Sequence, residues 1–378
     1  MRPLYIPNPD HTLGYGGNKK FKSMKQIRQG LPIGEFKSRV TGLHENSRFW
    51  EAIARINHTM NMETHNYFDG IDSLFVLLPL TTRMISSPGA LYGKGKIDYT
   101  QDTAPIKLKW FDVKGGLFLA ESSQIYLEFY LLTHGINGAY CVYNSFRKER
   151  SDFSHLSEFH HIEYEGKVSQ KENKKIILGL VGTIISGLLK KNSEDLSEFL
   201  FDEDFDYLRE FARKRKAMEI TFGDALDVLY KKTGDRKYKK FTSKYFGSWE
   251  EVLLSGEYEE ILDISGFPLY EIAFYHAPIR DKKENLIGDN SDFIWPYYRE
   301  FIGSGHRVRS MYELLAKARK FNLPKEDYKN YVRSRSFSDY SETSGFGLGW
   351  ERFLQGLLRM PYIYSASAFP RVDQIITP

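Results

Sequence analysis

Three short stretches carry residue types whose spacing suits chemistry on a phosphate-bearing ligand. The first is Gly345-Phe346-Gly347-Leu348-Gly349-Trp350-Glu351-Arg352. Glycines at every second position share one face of a strand, while Phe346, Leu348 and Trp350 pack behind it. An interior strand glycine costs roughly 0.5–1 kcal/mol against alanine, so three in register suit the close approach of a flat ring. Arg352 then opens a helix whose apolar residues are Phe353, Leu354, Leu357 and Leu358, which sets a guanidinium at the edge of the bare floor. From there it can stack on a base or meet a phosphate. A tight strand-to-helix packing turn accounts for the same spacing, and the pattern alone does not choose.

The second stretch pairs residues 142–149 with a return over 159–165. As antiparallel strands they place Arg147 and Glu149, with Glu163 and Glu165, on one face. Charges there are costly in a core unless they pair or meet a ligand, a metal or water; a solvated outer face is the plainer alternative. His155, His160 and His161 lie nearby, but zinc wants three or four ligands and adjacent strand histidines point to opposite faces, so no zinc site is expected. The third stretch holds Asp292 and Glu300 ahead of Gly303-Ser304-Gly305-His306-Arg307. Two acids, a glycine turn and an arginine can hold Mg2+ beside an anionic group, although two solvated surface acids give the same pattern.

The rest of the chain has to position these residues. Its 378 residues suffice for one large domain or two modest ones, and 41% apolar with 15% aromatic residues exclude a disordered chain. Fifty-three basic against 49 acidic residues leave +4, too little for a dedicated nucleic-acid or anionic-membrane binder, so any basic site is local. The single cysteine, Cys141, excludes an intrachain disulfide and fits a reducing compartment, so the cytoplasm is expected. The apolar stretch 176–189 is broken by glycines and short of the ~20 residues a bilayer requires. It reads as a buried helix, and no membrane partner is expected.

Periodicity predicts an irregular Pro/Gly-rich arm over 1–39, a helix over 45–66, and a short buried strand at 74–78 closed by Pro79. Strands follow over 106–165, helices over 167–232, strands over 262–304, a helix over 308–320, and finally the glycine strand with a terminal helix. The expected fold is one α+β domain over 40–378, an antiparallel sheet flanked by helices, with a helical insertion at about 167–260.

Taken in order, these segments resemble the catalytic core of class II aminoacyl-tRNA synthetases, in the asparaginyl/aspartyl/lysyl subclass. The resemblance rests on Phe146-Arg147-Lys148-Glu149, on His155-Leu156-Ser157-Glu158-Phe159, on the glycine stretch and on Phe369-Pro370-Arg371; Leu78-Pro79 falls where the family's first motif ends. It covers about residues 40–375. The resemblance implies ATP and Mg2+, with Arg147 on the α-phosphate, Phe159 and Arg352 sandwiching adenine over Gly347 and Gly349, Glu149 near the base, and His155 and Glu158 in the loop over the nucleotide. Asp292 and Glu300 match the acids that hold Mg2+, Ser122 and Gln124 the loop over the amino acid, and Arg307 the grip on its side chain. The implied reaction is attack of a carboxylate on the α-phosphorus, with Arg147 and Arg352 as the catalytic cations. A homodimer through the segment around Pro79 is also implied.

The chain departs from that pattern in several places. The residues ahead of the first predicted helix leave no room for the family's anticodon-reading barrel. Leu127 stands where aspartate-specific enzymes carry lysine, Val308 where asparagine-specific ones usually carry glutamate, and Pro88 in place of the acid that commonly binds the α-ammonium group; Glu121 is an alternative anchor. Such replacements change discrimination. The leading expectation is therefore a stand-alone ligase, related to archaeal-type asparagine synthetase, that adenylates an amino-acid-like carboxylate and passes it to ammonia or a small amine. The alternative is a truncated asparaginyl/aspartyl-type tRNA ligase, and a third is a non-catalytic regulatory dimer. Basic runs at 213–216 and 236–240, interleaved with acids, read either as solvated faces or as contacts for a tRNA acceptor stem.

Overall fold

The computed structural model describes residues 1–21, 26–27, 39–86, 91–92, 104–112 and 115–376. Pro88 lies outside the described residues. The chain opens with a hairpin, β1 (Tyr5–Pro7) and β2 (Leu13–Tyr15), then α1 (Arg39–Glu45) and α2 (Ser47–Asp69). Along α2, Phe49, Ile53, Ile56, Met60 and Phe68 recur at helical spacing and are buried, and this stripe seats the helix on the core. The run at 74–78 gives only β3 (Leu74–Phe75), both residues of which are exposed. A small sheet follows, in the order β4 (Thr81–Thr82), β6 (Leu117–Leu119), β5 (Lys107–Leu108). Next come α3 (Gln124–Tyr130), a helix within the region read as strands, and the long pair β7 (Gly138–Phe146) and β8 (Glu158–Gly166).

The helical stretch comprises α4 (Gln170–Lys191), α5 (Ser193–Ser197), α6 (Asp202–Lys214), α7 (Phe222–Thr233) and α8 (Ser248–Tyr258), with β9 (Met218–Thr221) ahead of α7. Ser169 and Glu172 close a capping box at the start of α4. Beyond lie β10 (Leu262–Ser265), the hairpin β11 (Pro278–Arg280) and β12 (Leu286–Gly288), then β13 (Asn290–Ile294) and β14 (Glu300–His306). The chain continues through α9 (Met311–Lys320), α10 (Lys325–Ser334), β15 (Ser344–Gly349), α11 (Trp350–Leu357), β16 (Arg371–Val372) and β17 (Ile375–Ile376).

The main sheet runs β17-β16-β8-β15-β14-β13-β10-β9, with β7 beside β8 and β3 beside β7. Its pairings are antiparallel except β3 with β7 and β9 with β10. Helices α2, α4, α6 and α11 share one apolar core with it, so the architecture is α+β, an antiparallel-dominated sheet flanked by helices. The helical stretch packs into the main core through Ile177, Leu180, Ile184, Leu208 and Phe211, and β9 extends the main sheet. The expectation for the N-terminus changes. The first residues are no irregular arm: Leu4, Tyr5, Leu13 and Tyr15 are buried, Tyr5 Oη donates to the Pro361 carbonyl at 2.6 Å, and Asn18 Nδ2 to that of Leu358 at 2.6 Å. Among the described residues, no helix is long and apolar enough to cross a membrane.

Candidate active site

Strand register builds the site. Across β8, β15, β14 and β13, Glu163 stands opposite Gly347, Gly347 opposite Gly303, and Gly303 opposite Asp292. Two residues along, and so on the same face, Glu165, Gly345, Gly305 and Asn290 form a parallel row. Each row has a polar side chain at either end and two glycines between, which sinks a trough into the sheet. The rows are filled differently. A Cβ at Gly345 would overlap Glu165 and Gln124, and one at Gly305 would overlap the His276 ring, so this row is packed by protein. A Cβ at Gly347 would meet only Glu163, at 3.7 Å, so this row lies open. The expectation of three equally bare glycines thus holds for Gly347 and Gly349 but not for Gly345.

Two hollows open on the trough, a cavity of about 560 Å³ and a narrower slot of about 70 Å³. They share Arg147, His161, Glu300 and Gly347. Glu149, His155, Phe159, Gly349 and Arg352 line the slot, whereas Ser122, Gln124, Asp292 and Arg307 line the cavity. In the slot, the Arg147 guanidinium lies 5.3 Å from the Phe159 ring centre and 4.0 Å from Glu149. Arg352 donates to the carbonyls of Glu300, at 3.1 Å, and Ser154, at 3.4 Å. Burial, followed by Arg147 and Arg352, pushes His161 well below its ordinary value and so keeps its ring neutral there.

In the cavity, Ser122 Oγ and the Ser123 N–H donate to Glu163 at 2.5 and 2.6 Å, clipping the loop before α3 to β8. Arg307 Nε and Nη2 donate to Glu165 and Nη2 also to Gln124 Oε1 at 2.6 Å. Burial pushes the Glu165 carboxyl up to about 7, against the pull of Arg307. Asp292 is raised well above the usual carboxylate range by burial and then by Glu300, which makes the pair a place where a cation is welcome. Both carboxylates overlook Gly303, within 3.1 and 3.7 Å of where its Cβ would stand. Two carboxylates plus substrate phosphates are a usual Mg2+ donor set. Among the described residues, no group of three or more His, Cys, Asp or Glu side chains forms a cage of its own.

Four of the residues weighed from sequence stand elsewhere or out of view. Glu158 accepts from Asn144 at 2.6 Å and lines neither hollow. Leu127 is wholly buried among Val76, Leu131, Ala139 and Cys141. Val308 is wholly buried in a second apolar cluster with Phe274 and Leu314. The position of Pro88 is outside the described residues. Other site residues went unread. Glu251, on α8, binds Arg299 at 3.1 Å and accepts the Glu300 N–H at 3.0 Å, pinning the start of β14; Arg299 reaches on to Ser154 Oγ at 2.8 Å. Nothing in a helix face marks such an acid beforehand. Glu163 and Glu165, by contrast, were placed on one face with Arg147 and Glu149 by strand alternation, and they stand at the ends of the two rows.

The family model "tRNA synthetases class II (D, K and N)" matches residues 35–373. The asparagine–tRNA ligase of Desulforamulus reducens is 26% identical over 387 aligned positions, spanning all of this chain and 84% of that protein. The asparagine–tRNA ligase of Metamycoplasma arthritidis is 28% identical over 89% of this chain and 73% of its own length. Among solved structures, asparaginyl-tRNA synthetase from Pyrococcus horikoshii complexed with asparaginyl-adenylate superposes with a TM-score of 0.78 at 24% identity, covering 92% of this chain and 74% of that one. The Entamoeba histolytica asparaginyl-tRNA synthetase in complex with asparaginyl-adenylate gives 0.74 at 18%, covering 97% and 84%. The structural likeness speaks for the fold.

Proposed function

The chain belongs to the class II tRNA synthetases of the D, K and N group, ATP-dependent ligases that form aminoacyl-adenylates, and from that premise we propose that it activates asparagine and esterifies it to tRNA. The observation that carries this reading is the shared wall of the two hollows. An amino acid in the cavity and a nucleotide in the slot meet at Arg147, above the open row of Gly347 and Gly303. There a carboxylate oxygen attacks the α-phosphorus, the bond to the bridging oxygen breaks, and pyrophosphate leaves. The attacking group is already ionised, so no general base is needed. Arg147 stabilises the charge that develops, and its position is fixed before reaction. Asp292 and Glu300 would hold Mg2+, which offsets phosphate charge. Glu121 and Glu163 supply negative charge beside Ser122 for the α-ammonium group.

The choice of acceptor reverses the leading expectation from sequence. A small amine was favoured by an altered acyl pocket, but Leu127 and Val308 lie outside the cavity, so two of the three replacements no longer argue for a changed substrate. The similar proteins are asparagine–tRNA ligases. A basic edge also supports tRNA: Arg236, Lys239 and Lys240 are exposed, and the chain runs from them into Ser243, Lys244 and Phe246, which line the cavity. Glu271 holds that strap through Thr242 Oγ1 at 2.9 Å and Ser243 Oγ at 2.6 Å.

The test is ATP–pyrophosphate exchange across a panel of amino acids, then charging of tRNA. Exchange with asparagine and acid-precipitable asparagine on tRNA are expected. Exchange without charging, with product trapped only by hydroxylamine or ammonia, would return the small-acceptor reading.

A further inference from the structure

Arg352 and Gln355 stand one turn apart on α11, and their side chains grip the same two segments at different depths. We propose that Gln355 is a positioning residue of the nucleotide slot: buried behind it, the amide sets how α11, the loop after β7 and the turn before β14 stand to one another, and thereby where the Arg352 guanidinium meets ATP. The inference rests on the ATP-dependent activation proposed above.

Gln355 is wholly buried and lines neither hollow, so it acts only through its neighbours. It stands among the buried apolar residues Phe353, Leu354 and Leu357 of α11. An amide in such surroundings is costly unless its polar groups are bonded, and here both ends are. Nε2 donates to the Phe153 carbonyl at 2.9 Å and to Tyr5 Oη at 3.0 Å, while Oε1 accepts from Tyr298 Oη. Tyr5 Oη in turn donates to the Pro361 carbonyl, so each donor finds an acceptor without conflict. Burial pushes both phenols above their ordinary value, which keeps them protonated donors.

The partners of Gln355 are chain neighbours of the slot. Phe153 precedes Ser154, whose carbonyl accepts from Arg352, and His155, which lines the slot. The Phe153 carbonyl also accepts the N–H of Ile363, another lining residue, at 2.9 Å. Tyr298 lies two residues before Glu300, whose carbonyl is the other acceptor of Arg352. Each segment is thus held twice from α11, by the amide at depth and by the guanidinium at the slot. The Tyr5 ring packs between the same two segments, edge-on to Phe153 at 5.3 Å between centres and tilted against Tyr298 at 5.7 Å. Methionine at 355 would fill the space but bind neither segment by a directed bond. The loop and the turn could then settle at other distances, and Arg352 with them.

The experiment measures kcat/KM for ATP in ATP–pyrophosphate exchange for wild type, Gln355→Met, Tyr298→Phe, Arg352→Ala and each of the first two combined with Arg352→Ala, after matched melting curves. Gln355→Met and Tyr298→Phe are each expected to lower kcat/KM for ATP by about 10-fold or more, while the KM for asparagine stays within about 2-fold of wild type. In the Arg352→Ala background the same two changes should cost less than about 2-fold, because the group they place is gone. An equal loss in both backgrounds overturns the inference, as does an unchanged kcat/KM for ATP in the folded single variants. Should Gln355→Met fail to fold, Tyr298→Phe, which removes one oxygen, decides by the same comparison. Failure of the activation reading looks different: wild type then shows no exchange with any amino acid, and calorimetric titration of ATP with Mg2+ into the same variants reads the placement of Arg352 instead.

Discussion

Arg147 and Arg352 reach the nucleotide slot from different elements, one from the end of β7 and the other from the first turn of α11. Neither carries the core, so Arg147→Ala and Arg352→Ala are each expected to cut exchange by about 10²–10³-fold or more while the melting temperature stays within a few degrees. Radiolabel exchange and calorimetry check the two halves. Lys317 offers a second test. Its side chain is buried, and burial lowers its amine from 10.5 to about 7. Between those values the unfolded chain binds a proton that the folded chain does not, so this group makes stability rise with pH from about 7 to 10. Urea midpoints at pH 7 and 9.5 should show that rise in wild type and a flatter one in Lys317→Met. Much of the site was readable residue by residue, because period-two alternation on β8 and β15 places side chains without knowledge of the fold. Leu127 and Val308 were not. On α3, Gln124 and Glu128 lie one turn apart and turn toward Arg307 and Arg335, leaving Leu127 on the flank that meets β7. Val308 follows Arg307 by one residue in extended chain and therefore points away from it.

At the scale of elements, β15 makes a sharper prediction than its glycines alone allow. Gly347→Val has room for its Cβ, but its methyl groups enter the nucleotide slot; ATP affinity should fall at least about 10-fold with little loss of stability, as isothermal titration would show. Gly345→Ala drives a Cβ into Glu165 and the Tyr164 carbonyl, and should cost about 1–3 kcal/mol in a denaturant melt. The long helices, the glycine strand and the strand pair ahead of it were legible from apolar period. Helix α3 was not, since Gln124-Ile125-Tyr126-Leu127-Glu128-Phe129-Tyr130 is rich in residues that also favour strands, and tertiary contacts decide. β9 is similar: four residues become a strand only because β10 lies beside them.

For the whole molecule, an apolar edge remains uncovered in one chain. Leu74, Phe75, Leu77 and Leu80 are exposed, Leu77 at 74%. They flank Pro79, and a second copy of the chain would bury them. Light scattering is expected to give about twice 44.1 kDa, and Leu77→Asp to shift the population toward the monomer. The basic edge predicts an electrostatic signature too: Arg236→Glu with Lys240→Glu should weaken charging of tRNA and reduce its salt dependence, yet leave exchange intact. The sequence marked both segments, the run at 236–240 by its charge and the stretch around Pro79 by resemblance; which of their residues stand exposed is set by the fold.

The first hairpin has a consequence for how the polypeptide is made. The carbonyls that receive Tyr5 and Asn18 lie 356 and 340 positions downstream. The opening strands therefore find their berth only once Leu358 and Pro361 have been made, and until then the growing polypeptide carries an unprotected greasy hook.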